Sequence, residues 1–323
     1  MRHDHYYKLA TVILTLILMI APVTAQQTLP AKDQSAKSLG TTAKALPQQV
    51  GQTLSVYYEE LTAPEFVQAV SQSGGICLLP IGILEKHGPH LPLGTDLLDC
   101  REVALRAANQ EYSIIFPQYY FGQIYEAKHQ PGAIAYSSEL IWQILDETCA
   151  ELARNGLKKI ILVNGHGGNN NFLPYFCQAQ LASRRDYVVI LFNTENDSAV
   201  EKQVAELRKT TTGGHADETE TSTMMSHRPD LVHKERGHDQ SGEDLSRLSQ
   251  IPYFYTGIWW YARYPNHYAG DGFYGSKEIG ELLLNSEAGQ LVHLIKALKT
   301  DRTIEELQQQ FYNASENPLN TKQ

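Results

Sequence analysis

Lys159-Ile160-Ile161-Leu162-Val163-Asn164-Gly165-His166-Gly167-Gly168-Asn169 is the stretch on which the reading of the fold turns. Its first part, 159–163, is a short apolar run of the kind that forms a strand buried on both faces. An amphipathic helical pattern over 138–155, closed by Gly156, precedes it, and a second helical pattern over 170–185 follows. The same alternation extends outward in both directions. Upstream lie helical patterns at 64–73 and 96–109 and strand-like runs at 76–82 and 114–118. Downstream lie a β-rich run at 187–192 and helical patterns at 198–209, 219–227, 276–298 and 303–312. Strands alternating with helices imply a mainly parallel sheet with helices on both faces. The expected fold is therefore α/β, a three-layer α/β/α sandwich in a single domain over 53–323. No internal repeat is present, which argues against solenoids and propellers.

In open parallel sheets the ligand-binding groups sit just beyond the carboxyl ends of the strands. Two polar clusters occupy such places. The first runs from Glu85 through Lys86, His87 and His90 to Asp96, directly after the 76–82 strand. Glu85 and His87 are two residues apart, so in an extended segment both face one cavity while Lys86 faces away. Asp96 has two readings of equal weight, an N-cap for the following helix or a carboxylate between two metals. The second cluster is the glycine-framed His166, where Gly165, Gly167 and Gly168 allow tight turns and close approach of a ligand. Neither phosphate-loop pattern, GxGxxG or GxxxxGK[ST], is present. A third cluster holds His215, Asp217, Glu218 and Glu220. At least one of these acids serves only the positive end of a helix dipole. Glu220 can add an oxygen ligand, and His215 can move a proton beside it.

Composition narrows the function classes. Apolar residues make up 42% and charged residues 20%, the balance of a soluble folded chain. Arg2 and Lys8 precede an apolar run over 9–21, and Val23-Thr24-Ala25 offers a cleavage site, so 1–25 reads as an export signal cut after Ala25. The run is too short to span a bilayer comfortably, hence no stable membrane insertion is expected after cleavage. Residues 26–52 read as a flexible leader without chemistry, and the expected location is secreted or periplasmic. Removing 1–25 takes Arg2, Lys8 and Asp4 from 27 basic and 36 acidic side chains, leaving 25 and 35 and a net charge of −10. An acidic chain without basic runs is a poor partner for nucleic acid. Cys77, Cys100, Cys149 and Cys177 match no metal-ribbon spacing, and could be buried thiols or disulfides in an oxidising compartment.

Together the three clusters resemble the creatininase, or creatinine amidohydrolase, family. Its E-x-H-G-x-H-L-P-x-x-T-D segment matches 85–96, its N-G-H-G-G-N segment 164–169, and its H-A-x-x-x-E-T-S segment 215–222. The likeness extends over roughly 60–300, with weaker matches at His129-Gln130-Pro131-Gly132 and Gly270-Asp271. The resemblance implies a two-metal hydrolase, assembled as a homo-oligomer, in many members a hexamer. It implies Glu85 and His166 on one divalent ion, His87 and Glu220 on the other, Asp96 bridging, and His215 as the catalytic proton carrier. Gly167, Gly168, Asn169 and His129 become candidates for contact with a small-molecule substrate. The creatinine-cleaving members carry a glutamate ligand where this chain has Gly168, and a stacking tryptophan where it has Thr211. These departures point to a substrate other than creatinine.

Two neighbouring cations lower the pKa of a shared water and polarise a carbonyl, which suits hydrolysis of an amide. Mixed nitrogen and oxygen donors without thiolate suit zinc, manganese or iron. A lactone or peptide hydrolase would use the same apparatus, and an exported binding protein for a metal or small metabolite is the non-catalytic alternative. The aromatic segment 259–272 reads first as core or subunit interface and next as a pocket rim to which His267 adds. His267 is not expected to bind metal.

Overall fold

The computed structural model describes residues 54–321. The expected export signal and leader lie outside the described residues. In chain order the regular elements are α1 (Ala63–Gln72), β1 (Ile76–Ile81), α2 (Thr95–Gln110), β2 (Ile114–Ile115), α3 (Ser138–Arg154) and β3 (Lys159–Asn164). They continue with α4 (Phe172–Ala179), β4 (Val188–Leu191), α5 (Ser198–Leu207), α6 (Glu218–His227), α7 (Trp259–Arg263), α8 (Lys277–Thr300) and α9 (Thr303–Ser315).

The four strands form one parallel sheet in the order β2-β1-β3-β4, with β1 and β3 paired along their length from Ile76 opposite Lys159 to Ile81 opposite Asn164. All six residues of β1 are buried, as a central parallel strand requires. Alternate side chains divide between two cores. Cys77, Leu79, Ile81, Ile160 and Leu162 pack with Ala69 of α1, Leu145 and Leu152 of α3 and Phe176 of α4. Ile76, Leu78, Ile161 and Val163 pack with Val103 and Ala107 of α2 and Leu291 and Ile295 of α8. Helices thus cover both faces, which is the three-layer α/β/α sandwich expected from the alternation.

Two elements differ from the expectation. The 114–118 run pairs only at Ile114 and Ile115, because Pro117 has no N–H to give to the ladder. The 170–185 helix is shorter, with a 3-10 turn at Gly167–Asn170, a regular helix at Phe172–Ala179 and a second 3-10 turn at Gln180–Ala182. The glycine and asparagine run that frames His166 does not support a helix, so the chain enters α4 late.

The four cysteines are free thiols, three of them buried. Burial pushes all four up, most strongly the three inside the cores, which leaves those three unreactive core residues. No helix among the described residues is long and apolar enough to cross a membrane.

Candidate metal centre

Both central strands end against the start of α2, and two glycines permit it. A Cβ on Gly82, just past β1, would fall on the Leu97 amide nitrogen and within 2.6 Å of the Asp96 carbonyl carbon. One on Gly165, just past β3, would stand 2.5 Å from the Asp96 carbonyl oxygen and 2.8 Å from Cys100 Cβ. Without side chains there, the backbone of Asp96 nests between the strand ends.

Asp96 is not the helix cap. Gly94 occupies that place, and no side-chain cap bond is made. The Asp96 carboxylate turns inward, with Oδ1 2.8 Å from His87 Nε2 and Oδ2 3.1 Å from His166 Nδ1. Glu85 Oε1 lies 2.8 Å from the same His166 nitrogen. The loop carrying Glu85 and His87 is closed by the Glu85 amide donating to Leu93 O at 3.0 Å, and Lys86 leaves the cavity to donate to Gln240 Oε1 at 2.6 Å and Asn266 O at 2.5 Å. The two-residue spacing therefore works as read.

His215 enters from the loop before α6. Its Nε2 donates to Lys86 O at 2.8 Å, which leaves Nδ1 without a proton, 3.9 Å from Glu220 Oε2. Burial pulls His215 down to about 3, so the ring is neutral near neutral pH. Glu220 Oε2 also stands 3.9 Å from His87 Nε2 and accepts from the Ala216 amide at 2.5 Å. The other acids of this cluster are structural. Asp217 caps α6 by accepting from the Thr219 and Glu220 amides, and Glu218 accepts from the Lys209 and Thr210 amides.

Glu85 and His87 are fully buried, and Asp96, His166 and His215 are under a tenth exposed. A buried set of this kind demands compensating charge. Burial disfavours charge on Glu85, yet the facing charged His166 ring holds it well below the usual carboxylate range. Burial likewise opposes His87 and His166, and the carboxylates override it, raising His87 to about 10 and His166 well above its ordinary value. Burial pushes Glu220 up to about 8.

The set fits divalent metal. Glu85 Oε1, Asp96 Oδ2 and His166 Nε2 are buried without a hydrogen-bond partner, a condition that ligation of the two oxygens would relieve. Two donor triads, Glu85-His87-His215 and Glu85-Asp96-His166, each keep their ligand atoms within 4.8 Å of one another. The donors are imidazole and carboxylate, as zinc or manganese accepts.

A cleft of about 700 Å³ opens on one side of this set, lined by His166, Glu220, Asn164, Phe192, Leu284 and Glu287 among others. Gly167 and Asn169 line it as well. Asn169 is spent internally, however, accepting from the Gln123 amide at 3.0 Å and donating to Asn164 Oδ1 at 3.1 Å. Gly168 lies off the cleft, and a Cβ there would run into His166 Nε2 and stand 2.6 Å from Glu126 Oε1. A carboxylate thus returns, from a different loop, to the neighbourhood where the creatinine-cleaving members place a glutamate. His129 is not brought to the site. It is exposed, bonds Pro265 O at 2.8 Å and packs against Tyr261. A larger groove of about 1100 Å³, which includes Thr211, Arg208 and Asp271, touches none of the donor set.

Of two neighbours of the donors, sequence reasoning missed Glu126 and placed His267 only on a pocket rim. The signal for His267 was its place in a segment of unusual aromaticity beside Trp260. Its Nε2 contacts Glu85 Oε2 across 182 residues of sequence.

Residues 59–295 match the family model for creatininase, described as creatinine amidohydrolase. The chain belongs to the creatininase family. It is similar to the creatinine amidohydrolase of Pseudomonas putida, 26% identical over 56% of this chain and 75% of that one. It is also similar to a 3-dehydro-scyllo-inosose hydrolase of Thermotoga maritima, 26% identical over 56% of this chain and 58% of that one. A mycofactocin precursor peptide peptidase of Mycolicibacterium smegmatis is 28% identical over 48% of this chain and 59% of its own. A creatininase structure described with manganese aligns with a TM-score of 0.64 at 25% identity, covering 76% of this chain and all of the other.

Proposed function

We propose that this protein is an exported metal-dependent amidohydrolase that cleaves a C–N bond in a small metabolite other than creatinine. The observation that carries the reading is Asp96, whose two buried oxygens each face a different histidine, His87 and His166, as a bridging carboxylate would. Glu85 would join His166 on one ion and Glu220 would join His87 on the other. When bound, two such ions supply an activated water and polarise the carbonyl under attack.

The chain's own residues account for the remaining steps. Neutral His215 presents a bare Nδ1 that can take a proton and return it to the leaving nitrogen. Its partner, the Lys86 carbonyl, fixes the ring in that tautomer. Glu220 stands within reach of both His87 and His215, so ligation and proton movement share one side chain. A cleft of about 700 Å³ suits a ligand of metabolite size. Amide chemistry is supported by family membership and by relatives named for creatinine and for a precursor peptide. The second of these names, with the open cleft, favours a peptide bond as the alternative substrate.

The test is a panel of cyclic amides, linear amides, lactones and short peptides, run on the chain reconstituted separately with zinc and manganese. Turnover of at least one amide is expected. The His215→Asn variant should keep its metal and lose ~10²–10⁴-fold in turnover, the usual worth of a positioned proton carrier. A metal-loaded protein inert toward the whole panel would favour a binding role instead.

A further inference from the structure

His267 is 2% exposed and touches Glu85, yet the reaction outlined above gives it no task. Its partners define its protonation. The Trp260 indole N–H, a donor and never an acceptor, points at His267 Nδ1 across 2.8 Å. Nδ1 must therefore be bare, and the single proton of the neutral ring sits on Nε2. That nitrogen lies against Glu85 Oε2, so the ring donates to the carboxylate. With Oε2 engaged, Oε1 is the oxygen left without a hydrogen-bond partner, 2.8 Å from His166 Nδ1 and turned toward Asp96.

The backbone is committed to this arrangement. His267 holds φ +55°, a left-handed conformation that a residue with a Cβ rarely adopts. It is kept there by its amide donating to Tyr264 O at 3.0 Å, and by the Ala269–His215 bridge two residues on, with bonds of 3.2 and 3.0 Å. One short segment thus holds both Glu85 and the loop of His215.

We propose that Trp260 and His267 form a positioning relay, indole N–H to imidazole to carboxylate, that turns Glu85 into a preorganised metal ligand. The inference rests on the metallohydrolase reading. His267 is a positioning residue in it and binds no metal itself.

The experiment is a chelator competition on the full-length protein loaded with zinc or manganese, following metal per chain and thermal midpoint for four forms. Metal affinity in His267→Leu should fall ~10–100-fold, the usual cost of removing the outer partner of a ligand. His267→Gln, whose amide N–H can reach the same oxygen, should stay close to wild type. Trp260→Phe should lie between, because the ring loses the donor that fixes its tautomer. Equal affinity in His267→Leu and wild type overturns the proposal. So does equal loss in the leucine and glutamine variants, which would mean that the residue only fills space. A wild-type chain that takes up no metal refutes the metallohydrolase reading instead, so the two failures are distinguishable.

Discussion

At the scale of single residues, Glu287 is a cleft carboxylate outside the donor set whose ionisation opposes folding. Burial pushes Glu287 up to about 7, with Asp99 adding to the effect. An unfolded glutamate titrates near ~4.3, so below that pH the group is neutral in both states and costs nothing. Between about pH 4 and 7 the unfolded chain ionises first, and the cost grows until it is complete above about pH 7. Glu287→Gln should therefore raise stability by ~1 kcal/mol at about pH 8, allowing for water in the cleft, with no advantage at about pH 4. Denaturant unfolding of the metal-free protein at the two pH values checks it, and a gain of equal size at both would contradict it. Other residues show what the chain alone could disclose. Glu85 and His87 were legible because a two-residue spacing in an extended segment has one geometric consequence. Asp96 was not, since a carboxylate near a helix start looks the same whether it caps or turns inward. His267 was invisible as a ligand partner because its contact with Glu85 depends on how distant segments meet.

At the scale of elements, the site exists because β1 and β3 abut the first turn of α2, and Gly82 and Gly165 set how closely. The strand and helix alternation was readable from period and composition, and ten of the twelve expected elements held to within a few residues. The exceptions lie where backbone chemistry overrides side-chain pattern, at Pro117 and in the glycine run around His166. What the pattern could not show was the close fit between strand ends and helix, which is a contact among backbones. Gly82→Ala and Gly165→Ala should each destabilise the fold by ~1–3 kcal/mol and weaken metal retention, because the new Cβ meets backbone or a packed side chain that has little room to move. Gly289→Ala in α8, where a Cβ would meet nothing within 4 Å, is the control and should stabilise by ~0.5–1 kcal/mol. Thermal unfolding combined with metal analysis of the three variants separates the effects.

At the scale of the whole molecule, the sheet acts as a platform that delivers five donor groups from four separate segments to one buried place. The three-layer sandwich was the secure part of the sequence reading, because it follows from periodicity summed over many residues. The identity of the substrate depends instead on the shape of the cleft beside the donor set, and short motifs do not encode that. Export of the chain stands as a proposal resting on residues 1–25. The central claim is that Glu85, His87, Asp96, His166 and Glu220 hold two divalent ions on which hydrolysis depends. The most direct test measures metal per chain and amide turnover on the same samples while metal is withdrawn and restored, in wild type and in Asp96→Asn. The account predicts two ions per wild-type chain, turnover that falls and returns with them, and an Asp96→Asn chain that folds but retains neither ion firmly. Full turnover by a folded, metal-free chain, or unchanged metal content in Asp96→Asn, would contradict it.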